Sequence, residues 1–294
     1  MGYKTLLFST PCKLRVKNFQ LVYQPENNEE ITIPLEDIST IVLENMQIEV
    51  TNYLLSMCGE YNITLFSCDK KHQPNVVLTP FYQHSRNTKI AFNHINMSEP
   101  LKKRLWQKII QQKIKNQSNV LKLVLENDCL DIYCDKVKSG DTTNIEGQAA
   151  KQYWSLLFKN FKRHTETKHN AALDYGYAIV RGTLAKFAAS SGLVPCFGIH
   201  HCNELNSFNL IEDLIEPFRP FVDLIVSGMP IFEDSELTKA DKASLLNILN
   251  MQCQYKGEQI TVQTACERVC QTFVKSIEKN DSNVLELPQF IGAK

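Results

Sequence analysis

The sequence lacks the features of a membrane-spanning or exported protein. No apolar run in its 294 residues approaches the roughly 20 residues that a membrane-spanning helix needs. The apolar block near the N-terminus is too short for a secretory signal. Hydrophobic residues make up 43% of the chain, which predicts a substantial core rather than global disorder. We therefore expect a cytoplasmic protein that does not bind a membrane.

The ten cysteines lack any paired C-x-x-C spacing. Cys266 and Cys270 lie four residues apart on a predicted helix, which is typical of small buried apolar groups. His200, His201 and Cys202 are consecutive, so their side chains diverge and do not readily chelate one zinc ion. The pattern excludes a zinc finger and predicts free thiols in a reducing compartment.

Charge of one sign is missing from two long segments, although the net charge is zero. Residues 18–69 contain no lysine or arginine but nine acids, and residues 100–125 contain seven basic residues and no acid. This asymmetry indicates a polyanion partner for the basic segment, with Lys102, Lys103, Arg104 and Lys108 as candidate DNA contacts. A second basic cluster supplies two weaker candidates, Lys162 and Arg163. The alternative is that each segment is simply a solvated face.

The hydrophobic pattern predicts an α+β protein with two domains. Residues 1–80 alternate apolar and polar side chains over several short segments, which favours a small β-rich, sandwich-like domain. Its acidity would repel a DNA backbone, so we assign it to protein contacts and expect it to form a homodimer. Residues 81–97 are polar and predict a linker, and residues 98–294 carry helical periodicity throughout, which predicts a larger all-α domain.

Paired histidines precede an amphipathic segment that carries two carboxylates. His200 and His201 come first, and Asp213 and Glu216 lie three residues apart, so they share one face of a helix. Pro217 predicts a kink in that helix. An imidazole beside two carboxylates could bind a divalent cation. Carboxylates at this spacing are also common on ordinary surface helices.

A third acid, Glu146, lies in the first turn of a helix predicted to begin at Ile145. Thr143 and Glu146 fit a capping box, and acids favour the N-terminal end of a helix in any case. The local pattern alone therefore favours a structural role for Glu146.

Several longer motifs, in the same order along the chain, resemble those of one family. The motif segments are 34–45, 68–69, 105–106, 113–117, 146–154, 170–181, 198–201, 213–220 and Asp223. Taken together, the sequence resembles the CRISPR-associated integrase, the catalytic subunit of the spacer-acquisition complex, in its type II-like form. Family members often have Asn where Asp174 stands, before Tyr-Gly-Tyr.

The resemblance implies a β-domain that pairs protomers and a helical domain that holds the active site. It implies that Glu146, His201 and Glu216 are the catalytic residues and bind one divalent metal, Mg²⁺ or Mn²⁺, with Asp213 in support. The implied reaction inserts spacer DNA into a CRISPR array, when a DNA 3′-hydroxyl attacks a phosphodiester. The implied partners are double-stranded DNA, as spacer precursor and repeat array, and a small non-catalytic adaptation subunit.

Two other functions remain as alternatives: a non-enzymatic DNA-bridging scaffold, and a nuclease that cuts branched DNA without joining it. The role of His201, as metal ligand or as general base, is also left open. We expect His200 to be structural and Arg219 to pair with a carboxylate rather than with DNA.

Overall fold

The structure is a computed structural model and describes residues 2–26, 29–78, 86–158, 161, 163, 165, 167–230 and 236–291. The chain forms two compact units, Met1–Gln83 and His84–Lys294. The first unit holds the two four-stranded β-sheets and the second holds most of the helices, so the predicted α+β class is confirmed. Among the described residues, no helix combines the length and the apolar character needed to cross a membrane.

Within its described residues, the first unit contains two four-stranded sheets and one α-helix. Its elements are β1 Lys4–Phe8, β2 Cys12–Lys17, β3 Gln20–Pro25, β4 Ile31–Pro34, β5 Ile38–Leu43, β6 Glu49–Val50, α1 Asn52–Glu60, β7 Thr64–Cys68 and β8 Pro74–Leu78. One sheet has the order β1-β5-β7-β8, and the other has the order β4-β3-β2-β6. Buried side chains from both sheets and from α1 form a single apolar core. β1 and β2 were not among the predicted strands: β1 does not alternate, whereas β2 alternates apolar and charged residues, a signal that was overlooked.

Two local features of this unit follow from neighbouring residues. Thr51 caps α1, since its side-chain oxygen accepts a hydrogen bond from the backbone N–H of Leu54 at 3.3 Å. Asn18 and Phe19 form the turn between β2 and β3, and both residues have positive φ. A two-residue turn of this kind matches the twist of the paired strands and therefore fixes their register.

The second unit contains nine helices and one hairpin within its described residues. They are α2 Asn87–Ile95, α3 Glu99–Leu125, α4 Asp131–Cys134, α5 Ile145–Leu157, α6 Lys168–Ser190, α7 Asn209–Ile215, α8 Arg219–Ser227, α9 Lys239–Leu246, β9 Gln252–Tyr255, β10 Glu258–Thr261 and α10 Val262–Lys279. The hairpin β9–β10 is an addition to the predicted all-α domain. Helix α2 occupies much of the segment 81–97, which we had predicted to be a linker, and residues 81–85 lie outside the described residues.

Helix α3 is the central element of the second unit. It packs against α4, α5 and α8, and against the 3-10 turn Glu216–Phe218 that joins α7 to α8. The predicted kink at Pro217 is present as a complete break between these two helices. The carbonyl of Pro217 accepts a hydrogen bond from Asn116 Nδ2 of α3 at 2.7 Å. This buried bond fixes the broken segment, and with it Glu216, against the middle of α3.

Candidate active site

Glu146 stands at the start of α5 but does not cap it. The capping residue is Asn144, whose side-chain oxygen accepts the backbone N–H of Gly147 at 3.1 Å. The carboxylate of Asp141 accepts the backbone N–H groups of Ile145 and Glu146, at 2.9 and 3.0 Å. The capping box predicted between Thr143 and Glu146 is therefore not formed. The side chains of Asn144 and Asp141 accept the backbone N–H groups of the first turn instead. The side chain of Glu146 is left available for other contacts.

The carboxylates of Glu146 and Glu216 converge on one lysine. Lys113 Nζ lies 2.5 Å from Glu146 Oε1 and also forms an ion pair with Glu216 Oε2. Lys113 sits on α3, and its side chain is only 10% exposed. Two carboxylates from separate helices thus share a single positive charge inside the second unit.

Glu216 is held by cations on both of its oxygens. Arg219 Nε donates to Glu216 Oε1 at 2.8 Å, while Lys113 contacts Oε2. Burial by itself would raise the pKa of Glu216, but the charges of Arg219 and Lys113 outweigh it and lower that pKa to about 2. Glu216 is therefore an anion at any physiological pH.

The expected pairing of Arg219 with a carboxylate is confirmed, and it extends further than predicted. Arg219 Nη2 donates to Glu212 Oε2 at 3.0 Å, and Glu212 Oε1 lies 2.8 Å from Arg181 Nε. The guanidinium of Arg219 also lies over the ring of Tyr177, with 4.8 Å between its Cζ and the ring centroid. These contacts hold Arg219 in place and thereby orient Glu216.

Asp213 organises the loop that carries His201. Its buried carboxylate accepts the backbone N–H groups of Ile199, His200 and His201, at 2.6, 3.1 and 3.1 Å. The same carboxylate lies 2.7 Å from the ring Nδ1 of His201. A side chain added at Gly198 would meet Asp213 Oδ2 at 2.7 Å, so only glycine fits at the start of this loop. Asp213 is thus wholly occupied in shaping the loop.

The contact with Asp213 sets the state of the His201 ring. The hydrogen bond to Asp213 is the main cause of a raised pKa at His201, and the charge of Glu216 contributes in the same direction. With Nδ1 facing Asp213, the other ring nitrogen, Nε2, remains available to a ligand. The ring of His201 meets Trp106 edge-on at 5.8 Å between centroids.

His200 has a packing role, as expected. Its ring stacks on that of Trp106, with centroids 4.1 Å apart and an angle of 3° between the planes. Trp106 is almost fully buried and belongs to the core. The two histidines therefore take different roles, and only His201 faces a carboxylate.

The structure brings together part of the predicted triad. Glu146 and Glu216 meet at Lys113, whereas the ring of His201 faces Asp213. No three His, Cys, Asp or Glu side chains within the described part of the chain form a metal-binding group. The expected three-ligand arrangement of Glu146, His201 and Glu216 is thus not formed in this structure, because Lys113 lies between the carboxylates and Asp213 holds the imidazole.

The pairing of Lys113 with two carboxylates was not predicted from the sequence. In the sequence, Lys113 is one charge of the basic segment and part of a motif. A signal was nevertheless present, since Lys113 follows Ile109 by four residues and Ile110 by three, on the apolar face of α3. A lysine on a buried helix face needs a partner of opposite charge, and here it has two.

Asp223 joins three helices behind these carboxylates. It accepts a hydrogen bond from Tyr153 of α5 at 2.9 Å and another from Tyr177 of α6. Burial raises the pKa of Asp223 to about 7, although the two tyrosine hydrogen bonds act against this. The arrangement fixes α8, which begins with Arg219, against α5, which carries Glu146.

The basic candidates for DNA binding differ in whether their charged groups are exposed or already paired within the protein. Lys103 and Arg104 are exposed on α3, whereas Lys102 pairs with Glu99 at 2.7 Å. Lys108 Nζ donates to the backbone carbonyl of Asn283 at 3.1 Å. Exposed positive charge on α3 is therefore concentrated at Lys103 and Arg104 among the four candidates.

Of the second basic cluster, the structure describes Arg163. Arg163 donates to Asp174 at 2.5 Å and to Asn170 at 2.8 Å, so its charge is used within the protein. Lys162 lies outside the described residues. Asp174, where family members often have Asn, thus supplies a carboxylate for this ion pair.

Comparisons with known proteins agree with the fold and with the order of the motifs. A family model described as "CRISPR associated protein Cas1" matches residues 6–247. The "CRISPR-associated endonuclease Cas1" of Neisseria meningitidis serogroup C (strain 8013) is 36% identical over 302 residues, which cover 100% of this chain and 98% of the relative.

Two solved structures share the fold at lower identity. A casposase bound to its integration product superposes with a TM-score of 0.77 at 20% identity, covering 94% of this chain and 91% of that chain. A Cas6-RT-Cas1–Cas2 complex superposes with a TM-score of 0.70 at 17% identity, covering 97% of this chain and 36% of that chain. Since the family model spans most of the sequence and the Neisseria relative matches it from end to end, the chain belongs to the Cas1 family of CRISPR-associated proteins.

Proposed function

We propose that this protein is a divalent-metal-dependent DNA integrase that inserts spacer DNA into a CRISPR array. The observation that carries the proposal is the convergence of Glu146 and Glu216 on the single ammonium group of Lys113. Both carboxylates thus already face one shared positive charge. The Neisseria relative is named an endonuclease, and the casposase neighbour is bound to an integration product, which supports DNA strand transfer as the reaction.

The residues fit a divalent cation by their chemistry. Glu146 and Glu216 offer oxygen ligands, and Glu216 is ionised across the physiological range. His201 offers Nε2, since its Nδ1 faces Asp213. Two carboxylates and an imidazole suit Mg²⁺ or Mn²⁺. When bound there, such an ion would neutralise charge on the phosphate and stabilise the leaving oxygen.

The other side chains of the site act by holding these groups in place. Asp213 accepts the backbone N–H groups of the His201 loop and lies against the ring Nδ1 of His201. The nitrogen that can act in the reaction is therefore Nε2. Both roles considered for His201, metal ligand and general base, need Nε2 without its proton. Arg219 holds one oxygen of Glu216 and leaves the other towards Glu146. The reaction itself transfers a phosphodiester from one 3′-oxygen to another, with no covalent bond to the protein.

DNA and protein partners follow from the exposed surfaces. Lys103 and Arg104 offer exposed positive charge to a phosphate backbone, as proposed for the basic segment of α3. One structural neighbour is a complex that contains Cas1 and Cas2, so we propose a small non-catalytic adaptation subunit as partner.

For the first unit we propose homodimer formation, supported by its exposed large apolar side chains, Tyr3, Phe19, Ile31, Met46, Tyr53 and Val76. We propose that the protein acts in the cytoplasm.

A strand-transfer assay tests the proposal. The protein is incubated with a short DNA duplex carrying free 3′-hydroxyls, a supercoiled plasmid with the repeat array, and Mn²⁺. We expect joined product from the wild type and none after chelation of the metal. Glu146→Ala, His201→Ala and Glu216→Ala should each abolish joining while DNA binding persists. Glu278→Ala, at an exposed glutamate of α10, is the matched control and should still join.

The same assay separates the alternatives. Cutting of the plasmid without joined product would support the branched-DNA nuclease, and DNA binding without either reaction would support the scaffold. Retained joining by the Glu146→Ala variant would remove Glu146 from the proposed site.

A further inference from the structure

The lysine between the two proposed metal ligands is itself unusual. Lys113 comes from the buried face of α3 and reaches two carboxylates that belong to other elements, α5 and the 3-10 turn after α7. The side chains of Lys113 and Glu216 are 10% and 6% exposed, so water solvates these charges poorly. This is an internal arrangement and not a surface ion pair.

The two carboxylates depend on a cation between them. Both approach the same nitrogen atom, so their oxygens lie close to each other. Two anionic carboxylates in such proximity repel each other, and a positive charge between them offsets this repulsion. Of these two acids Arg219 contacts Glu216, through Oε1, whereas Lys113 is the cation that the two acids share. The ammonium group of Lys113 donates a hydrogen bond to Glu146 Oε1 and forms an ion pair with Glu216 Oε2.

We propose that Lys113 is the internal counter-cation of the metal site, which holds Glu146 and Glu216 together until a divalent cation displaces its ammonium group from at least one of them. The proposal rests on the proposed function, because it takes these two acids as metal ligands. A divalent ion binds carboxylate oxygens at about 2.0 to 2.2 Å and needs the space that lies between them. Lys113 Nζ occupies that space, so the ion and the ammonium group exclude one another.

A lysine that competes with the metal ion and a lysine that only supports the ligands would change metal affinity in opposite directions. If Lys113 competes with the metal, its removal should strengthen metal binding, because the incoming ion no longer has to displace a positive charge. If Lys113 were instead only a scaffold for the ligands, its removal would weaken binding. The sign of the change therefore distinguishes the two roles.

The experiment measures Mn²⁺ binding to the complete protein without DNA, by electron paramagnetic resonance or calorimetry. Lys113→Met keeps the length and apolar character of the side chain and removes its charge. We expect this variant to bind Mn²⁺ about tenfold more tightly than the wild type, or more. We also expect its melting temperature to fall without metal and to rise more steeply with Mn²⁺ than that of the wild type. Equal or weaker Mn²⁺ binding by the folded variant would overturn the proposal.

Two further variants complete the design. Lys122→Met is the matched control. Lys122 lies on the same helix and pairs with Asp131 at 2.6 Å, but its side chain is exposed. The Mn²⁺ affinity of the Lys122→Met variant should equal that of the wild type. Glu146→Gln should lose Mn²⁺ binding. If Glu146→Gln and Lys113→Met both bind Mn²⁺ like the wild type, the metal site and the proposed function fail together. If Glu146→Gln loses Mn²⁺ binding while Lys113→Met binds Mn²⁺ no more tightly than the wild type, the role of Lys113 alone fails.

The wild type offers a measurement that does not depend on how variants fold. Reductive methylation of lysines, followed by mass spectrometry, reports how accessible each amine is. Addition of Mg²⁺ should increase methylation of Lys113, because its ammonium group leaves a carboxylate, and should leave Lys122 unchanged. If Mg²⁺ leaves the methylation of Lys113 unchanged or reduces it, displacement does not occur. Lys113→Gln, which is neutral but still donates hydrogen bonds, serves as the second neutral variant and should also bind Mn²⁺ more tightly.

Discussion

His201 is joined to Asp213 at two points, through its backbone N–H at 3.1 Å and through its ring Nδ1 at 2.7 Å. One carboxylate thus fixes both the loop and the orientation of the imidazole. In the sequence, Asp213 was a supporting acid near the proposed ligands. In the structure its two oxygens face the histidine loop, and the acids that share a cation are Glu146 and Glu216.

The first prediction concerns Asp213. Asp213→Asn would place an amide N–H₂ against backbone N–H groups that now meet a carboxylate oxygen, so a buried donor would lose its acceptor. We expect a loss of about 2 to 4 kcal/mol in the free energy of unfolding, measured with urea, and loss of joining activity. Asp174→Asn is the control. Because Asp174 is exposed, this substitution should lower the free energy of unfolding by less than about 1 kcal/mol. Equal effects of the two substitutions would contradict the assigned role of Asp213.

The second prediction concerns pH and His201. The pKa of His201 is raised above its ordinary value, chiefly by the hydrogen bond to Asp213. Protonation of the ring therefore stabilises the fold; the contribution is complete below about pH 6.5 and is lost as pH rises through the folded-state pKa. We expect the stability difference between wild type and His201→Gln to shrink from about pH 5.5 to about pH 8.5. A difference that does not change with pH would rule out the raised pKa.

Joining activity should follow the opposite trend over the same range. The neutral ring is the form that can bind a metal ion or accept a proton at Nε2. The rate should therefore rise with pH as His201 loses its proton. A rate that falls over this range would exclude both proposed roles of the ring.

The third prediction compares the two acids that share Lys113. Glu216 is nearly buried and pairs with two cations, whereas the side chain of Glu146 is 27% exposed and pairs with one. Glu216→Gln should therefore cost about 3 to 5 kcal/mol in urea unfolding at neutral pH, and Glu146→Gln about 1 to 2 kcal/mol. A larger effect at Glu146 would show that Lys113 depends mainly on that residue.

The cost of Glu216→Gln should also depend on pH. The pKa of Glu216 is lowered from 4.5 to about 2, which corresponds to roughly 3 kcal/mol of stability above pH 4.5. That contribution is lost as pH falls towards 2, so the gap between wild type and variant should narrow in acid. Unfolding measured across this range would show a constant gap if the lowered pKa were absent.

The fourth prediction concerns the glycine that begins the histidine loop. In Gly198→Ala the new methyl group would crowd Asp213 Oδ2 and the backbone carbonyl of His201. We expect loss of joining activity and destabilisation by about 1 to 3 kcal/mol, because the loop must open to admit the side chain. Gly228→Ala is the control, since its nearest neighbour would be 3.7 Å away, and it should keep wild-type activity. Full activity in Gly198→Ala would show that the loop tolerates rearrangement.

The fifth prediction concerns the basic part of α3. Replacement of Lys102, Lys103 and Arg104 by alanine should weaken DNA binding and reduce its salt dependence. The slope of log K against log salt should fall by roughly 2, because Lys103 and Arg104 carry the exposed charges while Lys102 pairs with Glu99. Alanine at three exposed lysines elsewhere, Lys256, Lys275 and Lys279, is the control. An unchanged slope in the first variant would reject this surface.

Much of the architecture could be predicted because it depends on neighbouring residues. Thr51 caps its helix, and Pro217 interrupts another, because both effects act within one turn of the chain. The strand β1 and the helix α2 were missed, since their patterns are weak and the surrounding structure decides them. The strand β2 was missed although its residues alternate between apolar and charged. Local reasoning also assigned Glu146 to a capping box that Asn144 and Asp141 make unnecessary.

By itself the sequence determined the residue types of the site and their order: an acid at the start of one helix, a histidine after a glycine loop, and an acid at a broken helix. It also determined that a lysine lies on the apolar face of α3. Only the tertiary structure decided that this lysine joins Glu146 to Glu216 and that Asp213 holds His201. Hydrophobic periodicity acts between near neighbours, whereas the pairing of buried charges depends on which distant segments the packing of the core brings together.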